Sequence, residues 1–281
     1  MTVIKKSAFD NQLIRVFSPK ATRRDYLSNS PFAVVVYDYV QEKLVEDDFV
    51  VIDVSKACNT LQDFREVATS ITSSLGRLMV QNEAGDTVVE VYDRQTGRIE
   101  DGARYHQTRQ GGDIHTDSVN RPEPMLYLGL ACAAPAVMGG ESIIIRGREV
   151  YSVLQEQPEV IDCLSQEFFF EGRGMNSENS LFKIPILELK NGKASFRYLR
   201  SYIASAHDRA GEPLSEAQIR AFDILDCILE MSSYQHRFTL QPGQILFAND
   251  TATFHGRTSF IDGPVPGSFS DRRHMLRFWV D

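Results

Sequence analysis

The chain has 281 residues, 42% hydrophobic and 24% charged, a balance that lets one soluble domain bury a substantial core. Its formal charge of −8 argues against nucleic acid or an anionic membrane surface as the main partner. No apolar run approaches the ~18 residues that span a bilayer, and the opening Met1-Thr2-Val3-Ile4-Lys5-Lys6 has no secretory core, so a cytoplasmic protein is expected.

Taken in chain order, Ala33-Val34-Val35-Val36-Tyr37 and Phe49-Val50-Val51-Ile52-Asp53-Val54 are apolar, β-branched runs that predict strands. Thr60 to Leu75 predicts a helix, with Thr60 as N-cap, Phe64, Val67, Ile71 and Leu75 on one face, and Gly76 as a stop. Further strands are expected at Met125–Ala133, Ser142–Ile145, Phe168–Glu171 and Ile184–Leu189, with a short helix at Glu149–Leu154. Ser215-Glu216-Ala217-Gln218 is a capping box; it opens a helix to Met231 with Ile219, Phe222, Leu225 and Leu229 at helical spacing. The turn Gln241-Pro242-Gly243-Gln244 feeds a strand at Ile245–Asn249, and Met275–Val280 is the closing strand. Cys58, Cys132, Cys163 and Cys227 are scattered, which predicts reduced core thiols rather than a disulfide framework. No repeat or linker divides the chain, so residues 1–281 are read as a single domain. Many short strands with a few helices predict a mainly β fold with helical insertions (α+β), a double-stranded β-helix or jelly roll. A parallel α/β sheet would need regular strand–helix alternation through the second half, which the sequence lacks.

His115-Thr116-Asp117, then His255, then Arg273 carry the chemistry. Two imidazoles and a carboxylate fill one face of an octahedral Fe(II) and leave three positions for a chelating cosubstrate and O2. On a strand, residues i and i+2 point to one side, so His115 and Asp117 would converge while Thr116 faces away. An arginine beyond the distal histidine suits the far carboxylate of a dicarboxylate, which its planar fork binds through two parallel hydrogen bonds. An HxD pair alone is most often a surface turn; HxD, a distal histidine and a trailing arginine, in that order, are far more specific. His106, His207, His236 and His274 lack a partner at ligand spacing and are read as non-ligands, although His106 lies near enough in sequence to touch substrate.

These residues resemble the Fe(II)/2-oxoglutarate-dependent dioxygenases of the TauD/TfdA and clavaminate-synthase-like superfamily. The proximal stretch is Gly111-Gly112-Asp113-Ile114-His115-Thr116-Asp117, and the patch Gly139-Gly140-Glu141-Ser142 is similar to the family's Gly-Gly-x-Thr/Ser. The distal stretch runs Phe247 to Thr258 through His255, and Arg273 and Arg277 resemble an Arg-x-x-x-Arg pair. An insertion at Ile261–Asp271 lengthens the gap from His255, leaving Arg272 as an alternative to Arg273, though the spacing to Arg277 favours Arg273.

The resemblance implies Fe(II) held by His115, Asp117 and His255, with 2-oxoglutarate chelating the metal and its C5 carboxylate meeting Arg273 and Ser142. O2 takes the last position, and succinate and CO2 leave as a C–H bond of the substrate is oxidised. With Asp117 in the place a halide would need, hydroxylation (or a related desaturation or cyclisation) is expected rather than halogenation. The expected substrate is small and polar, such as an amino acid or specialised metabolite, with a carboxylate suited to nearby arginines. Arg277, Arg104, Gln107 and Asn120 are the candidate substrate contacts, with Tyr105, Arg109, Arg197 and Arg200 as weaker ones. For Arg277 the competing reading is a structural ion pair with Asp113 or Glu141. Two rival functions stand: a cupin-like metal enzyme without 2-oxoglutarate, needing neither Arg273 nor Ser142, and an inactive jelly-roll binding protein, against which the intact triad argues.

Overall fold

The structure, a computed structural model, describes residues 14–17, 20–27, 30–95, 107–172, 180–263 and 272–281. Strand β1 (Ile14–Val16) and helix α1 (Arg23–Tyr26) precede the long helix α2 (Pro31–Glu46). Helix α2 occupies the stretch whose valine run predicts a strand, and this is the first correction. Pro31 sits in its first turn and the Ser30 hydroxyl accepts from Phe32 N at 3.1 Å, so the start is fixed by local chemistry. Val36, Val40 and Leu44 then fall one helical turn apart and are buried, whereas Val34 and Val35 are 55% and 56% exposed. Burial of one helical stripe outweighs the modest helix propensity of β-branched residues.

Strand β2 (Phe49–Asp53) and helix α3 (Leu61–Leu75) follow as expected. A reciprocal cap opens α3: Thr60 Oγ1 accepts from Asp63 N, and the Asp63 carboxylate accepts from Thr60 N, each at 3.1 Å. Gly76 ends it where a Cβ would lie 2.4 Å from Asp281 O, so only glycine allows the closing strand to approach. Next come β3 (Val88–Val91), β4 (Tyr127–Ala134), β5 (Met138–Gly139) and β6 (Ser142–Arg146). Helices α4 (Gly147–Leu154) and α5 (Pro158–Leu164) lead to β7 (Glu167–Glu171), β8 (Leu181–Pro185), β9 (Leu187–Lys190) and β10 (Lys193–Phe196). The strand expected over Ile184–Leu189 is thus divided at Ile186. Helices α6 (Arg200–Ala210) and α7 (Glu216–Glu230), then β11 (His236–Phe238), β12 (Gln244–Asn249), β13 (Thr253–Arg257), β14 (Phe260–Ile261) and β15 (His274–Val280), complete the order.

Six strands form the larger sheet in the order β1-β2-β12-β4-β15-β3, antiparallel except for β1 with β2. A second antiparallel sheet has the order β11-β6-β13. Side chains alternate across the larger sheet as strand geometry requires. Val50, Ile52, Ile245, Phe247, Leu276 and Phe278 join α2 and α3 in one core, while Phe49, Val51, Leu246, Ala248 and Met275 meet Ile144 of the second sheet in another. Ile143, Ile145 and Phe254, on the outer face of the second sheet, pack with residues of α4, α5 and α7. Helices therefore cover both sheets, and the expectation of a mainly β chain is corrected to a mixed α/β one. Helices α1, α2, α5 and α6 are the helices the sequence reading lacked. No helix among the described residues is long and apolar enough to cross a membrane. All four cysteines are free; Cys132 is buried but Cys227 is exposed, contrary to a uniform core reading.

Candidate active site

His115 and His255 are brought together by the backbone. They form an isolated antiparallel bridge, His115 N to His255 O at 2.9 Å and His255 N to His115 O at 2.8 Å, which places their ring centroids 4.5 Å apart. Asp117 joins them by a route the strand argument does not describe. It has φ −82° and ψ −39° and caps a single 3-10 turn, Ser118–Asn120, so the expected extended His115-Thr116-Asp117 is corrected to a bridge residue followed by a turn. Thr116 is pinned between them: its N donates to Tyr198 O at 2.9 Å, and its Oγ1 accepts from Tyr198 N at 3.0 Å.

The turn is shaped by Asp250, a buried residue. Its carboxylate accepts from Asp117 N at 2.9 Å, from Ser118 N at 3.2 Å and from Ser118 Oγ at 2.5 Å. Burial, and then the nearby Asp117 charge, push the Asp250 carboxyl above its ordinary value. Arg197 holds the opposite side, its guanidinium donating to the carbonyls of Ser118, Arg121 and Pro122. Arg197 thus braces the turn by its backbone.

Asp117 Oδ1 lies 3.7 Å from His115 Nε2 and 3.8 Å from His255 Nε2, and one ligand atom from each residue falls within 4.8 Å of the others. His115 Nδ1 meets Asp113 O at 2.7 Å; as a donor there, the ring keeps its lone pair at Nε2, toward Asp117. Burial opposes the Asp117 charge, but the Arg277 charge foremost outweighs it and holds the carboxyl well below the usual carboxylate range. Two imidazoles and an ionised carboxylate at this spacing are a donor set that fits a divalent iron. Oδ2 faces away from the histidines, accepting from Trp279 Nε1 at 2.9 Å and lying 3.6 Å from Arg277 Nη1. Arg277 therefore meets Asp117, not Asp113 or Glu141.

Arg273 is 2% exposed, whereas Arg272 is half-exposed. Its side chain runs past Gly140, where a Cβ would come within 3.1 Å of Arg273 Cδ; Gly140 also has φ +70°, a conformation that favours glycine. The guanidinium carbon is 5.5 Å from the centre of Phe260. Buried Ser142 begins β6 opposite Arg257, two residues beyond His255 on β13. Most of the Ile261–Asp271 insertion, residues 264–271, lies outside the described residues, as do Arg104, Tyr105 and His106. Gln107 and Asn120 are half-buried, before His115 and directly after Asp117–Val119. Arg109 pairs with Asp93, and Arg200 with Asp223 and Asp226. His207, His236 and His274 stand apart from the triad with other neighbours: Phe169 N, Arg146 and Glu90.

Residues 20–279 match the family model described as taurine catabolism dioxygenase TauD, TfdA family. The chain belongs to that family. Among curated relatives of this TauD-family chain, the FR-33289 synthase of Streptomyces rubellomurinus (strain ATCC 31215) is 28% identical over 227 residues. That match covers 79% of this chain and 65% of the relative, so the chain spans just under two thirds of that protein's length. Similar solved structures include an asparagine oxygenase with Fe(II), 2S,3S-3-hydroxyasparagine and succinate, at 14% identity and TM-score 0.69, covering 92% of this chain and 82% of that one. The non-heme iron oxygenase OrfP with Fe, succinate and (3S)-hydroxy-L-Arg is also similar, at 17% identity and TM-score 0.65, covering 92% and 83%. At such identities the likeness is one of fold. The description of that family is of a dioxygenase.

Sequence reasoning missed three residues around the candidate site. Asp250 lay inside the quoted distal stretch but had no assigned role. Trp279, the one tryptophan of the chain, lies in the expected closing strand with no role assigned to it. Gln81, which contacts Arg277, carried no sequence signal.

Proposed function

We propose that this enzyme hydroxylates an unactivated C–H of a small polar substrate, an amino acid or specialised metabolite. One O2 and one 2-oxoglutarate are consumed, one oxygen atom enters the substrate and the other enters succinate, and CO2 leaves. The observation that carries this reading is the convergence of His115, Asp117 and His255 on one point, in a chain whose trailing Arg273 is buried against Gly140.

Iron, when bound, supplies the O2 activation. His115, Asp117 and His255 would hold it from one side, leaving the remaining positions for the cosubstrate and O2. Ser142 and Arg273 would take the far carboxylate of 2-oxoglutarate; in a buried setting a charge-assisted fork is strong because water does not compete for it. Gly140 permits this by leaving room for the arginine side chain. Trp279 packs with Met79, Met125 and Leu128 as a dry wall behind Asp117. Gln107, Asn120 and Arg104 remain the proposed substrate contacts. Any substrate carboxylate reaching Arg277 would share that guanidinium with Asp117. The two facing sheets are read as the halves of a jelly roll. An amino-acid substrate is favoured because two enzymes of the same fold are described with hydroxylated asparagine and arginine.

The test is succinate formation from 2-oxoglutarate with Fe(II) under air, screened across amino acids and small metabolites. Substrate-stimulated succinate with a product heavier by one oxygen supports the proposal. Substrate oxidation with no succinate would assign the site to a metal oxygenase that does not use 2-oxoglutarate.

A further inference from the structure

We infer that Gln81 is a positioning residue for the metal site: acting through Arg277, and together with Trp279, it sets which oxygen of Asp117 is presented to the metal. The inference rests on the reading of Asp117 as a metal ligand.

The two carboxylate oxygens of Asp117 are not equivalent. Oδ1 lies 3.7 and 3.8 Å from the two imidazole Nε2 atoms, while Oδ2 accepts from Trp279 Nε1 and faces Arg277 Nη1. Arg277 is held in turn by a single amide. Its Nε donates to Gln81 Oε1 at 2.9 Å, and Gln81 Nε2 donates to the main-chain oxygen of the same arginine, also at 2.9 Å. A further 2.9 Å bond from Gln81 Nε2 to Thr87 O anchors the amide itself. Gln81 is 6% exposed, so water does not replace these bonds.

Backbone register explains why Gln81 meets Arg277. The segment leading to it runs antiparallel to β15, with Arg77 N bonded to Asp281 O at 3.1 Å and Met79 N bonded to Trp279 O at 2.9 Å. Two residues further along one segment and two back along the other, Gln81 falls opposite Arg277. Arg277 is also stacked on the Trp279 ring, its guanidinium carbon 4.8 Å from the ring centre. A long flexible side chain is thereby tied at its Nε, at its main chain and on its face, and its charge is aimed at Oδ2. With Oδ2 occupied, Asp117 offers the metal Oδ1 alone. Released from Arg277, the carboxylate could turn and chelate with both oxygens, closing a position that O2 or cosubstrate needs.

The variants are Gln81→Met, Arg277→Met and the double variant, each studied as the full chain without 2-oxoglutarate. Fe(II) is titrated under anaerobic conditions, the visible spectrum of the Co(II)-loaded protein reports coordination, and thermal melting reports folding. Gln81→Met should lower Fe(II) affinity by roughly 10-fold, the lower end for outer partners of metal ligands, and should shift the Co(II) bands. Arg277→Met should give the same spectral change, and the double variant should lose no more than Arg277→Met alone. Gln81→Glu keeps an acceptor for Arg277 Nε and should retain more affinity than Gln81→Met, which covers the case in which the latter folds poorly. A Gln81→Met protein that melts normally with unchanged Fe(II) affinity and Co(II) spectrum would overturn the inference, as would additive losses in the double variant. Wild-type protein that binds neither metal would overturn the metal-site reading itself.

Discussion

Trp279 donates its indole N–H to Asp117 Oδ2 at 2.9 Å, joining the last strand of the chain to the carboxylate that completes the triad. The ring beneath that bond is packed by Met79, Met125 and Leu128, so donor and wall are one side chain. Trp279→Phe separates the two roles, because it keeps an aromatic wall and removes the donor. Fe(II) affinity should fall by roughly 10-fold, and stability by about 1 kcal/mol for the lost bond. Anaerobic Fe(II) titration and urea unfolding measure the two; an unchanged affinity would leave Trp279 as packing alone.

Removal of any one ligand should disable the centre. His115→Ala, Asp117→Ala and His255→Ala should each weaken Fe(II) binding and abolish succinate formation, since two remaining donors cannot define a facial geometry. Metal content after gel filtration, together with turnover, checks this. Full iron stoichiometry with normal turnover in any one variant would take that residue out of the site.

Arg273→Ala should raise the 2-oxoglutarate requirement steeply, by roughly 2–5 kcal/mol in binding, because a buried carboxylate loses its charged partner. Arg273→Lys should restore part of this, lacking the planar fork. Gly140→Ala should act in the same direction from the other side. Its Cβ would press on Arg273 Cδ at 3.1 Å, and a φ of +70° disfavours alanine. The KM for 2-oxoglutarate, set against that for substrate, is the measurement. If Arg272→Ala rather than Arg273→Ala carried the defect, the register at the end of the insertion would be off by one residue.

A pH-dependent contribution to stability is expected from His236, which is two strands from His255, across Ile144 of β6. Its Nε2 lies 2.8 Å from Arg146 Nη1, which can only donate, so the imidazole is neutral there. Burial first, and then the Arg146 charge, lower its pKa in the folded state. The unfolded chain therefore binds a proton more readily, and stability present above the unfolded pKa of ~6.5 is lost as pH falls through it toward the folded value. His274, lowered mainly by burial, adds the same sign. His236→Gln keeps an acceptor for Arg146 without the titration. It should flatten the stability difference between about pH 7.5 and about pH 5.5 without removing it. A slope equal to wild type would show that His236 does not contribute.

The features legible in the sequence are those whose physics is local. The caps of α3 and α7 lie within three residues of their partners, as in Thr60 with Asp63 and Ser215 with Gln218. β12 and β15 are buried on both faces and read as near-continuous apolar runs, so they can be recognised without knowing what covers them. The order of His115, Asp117 and His255, whose ligand atoms the fold brings within 4.8 Å of one another, was likewise legible, because ligand chemistry restricts which residue types serve. Tertiary structure decided the rest. Helix α2 is a helix because its stripe Val36, Val40 and Leu44 finds a core to enter, a fact the β-branched run at Ala33–Tyr37 conceals. Asp117 reaches the histidines through a turn held by Asp250, 133 residues away in sequence. Its second oxygen is set by Trp279, 162 residues away, and through Arg277 by Gln81, which is 196 residues from that arginine. Hydrogen bonds across such separations leave no periodicity or spacing in the chain; they exist only once the sheets have placed both partners and excluded the water that would otherwise satisfy them.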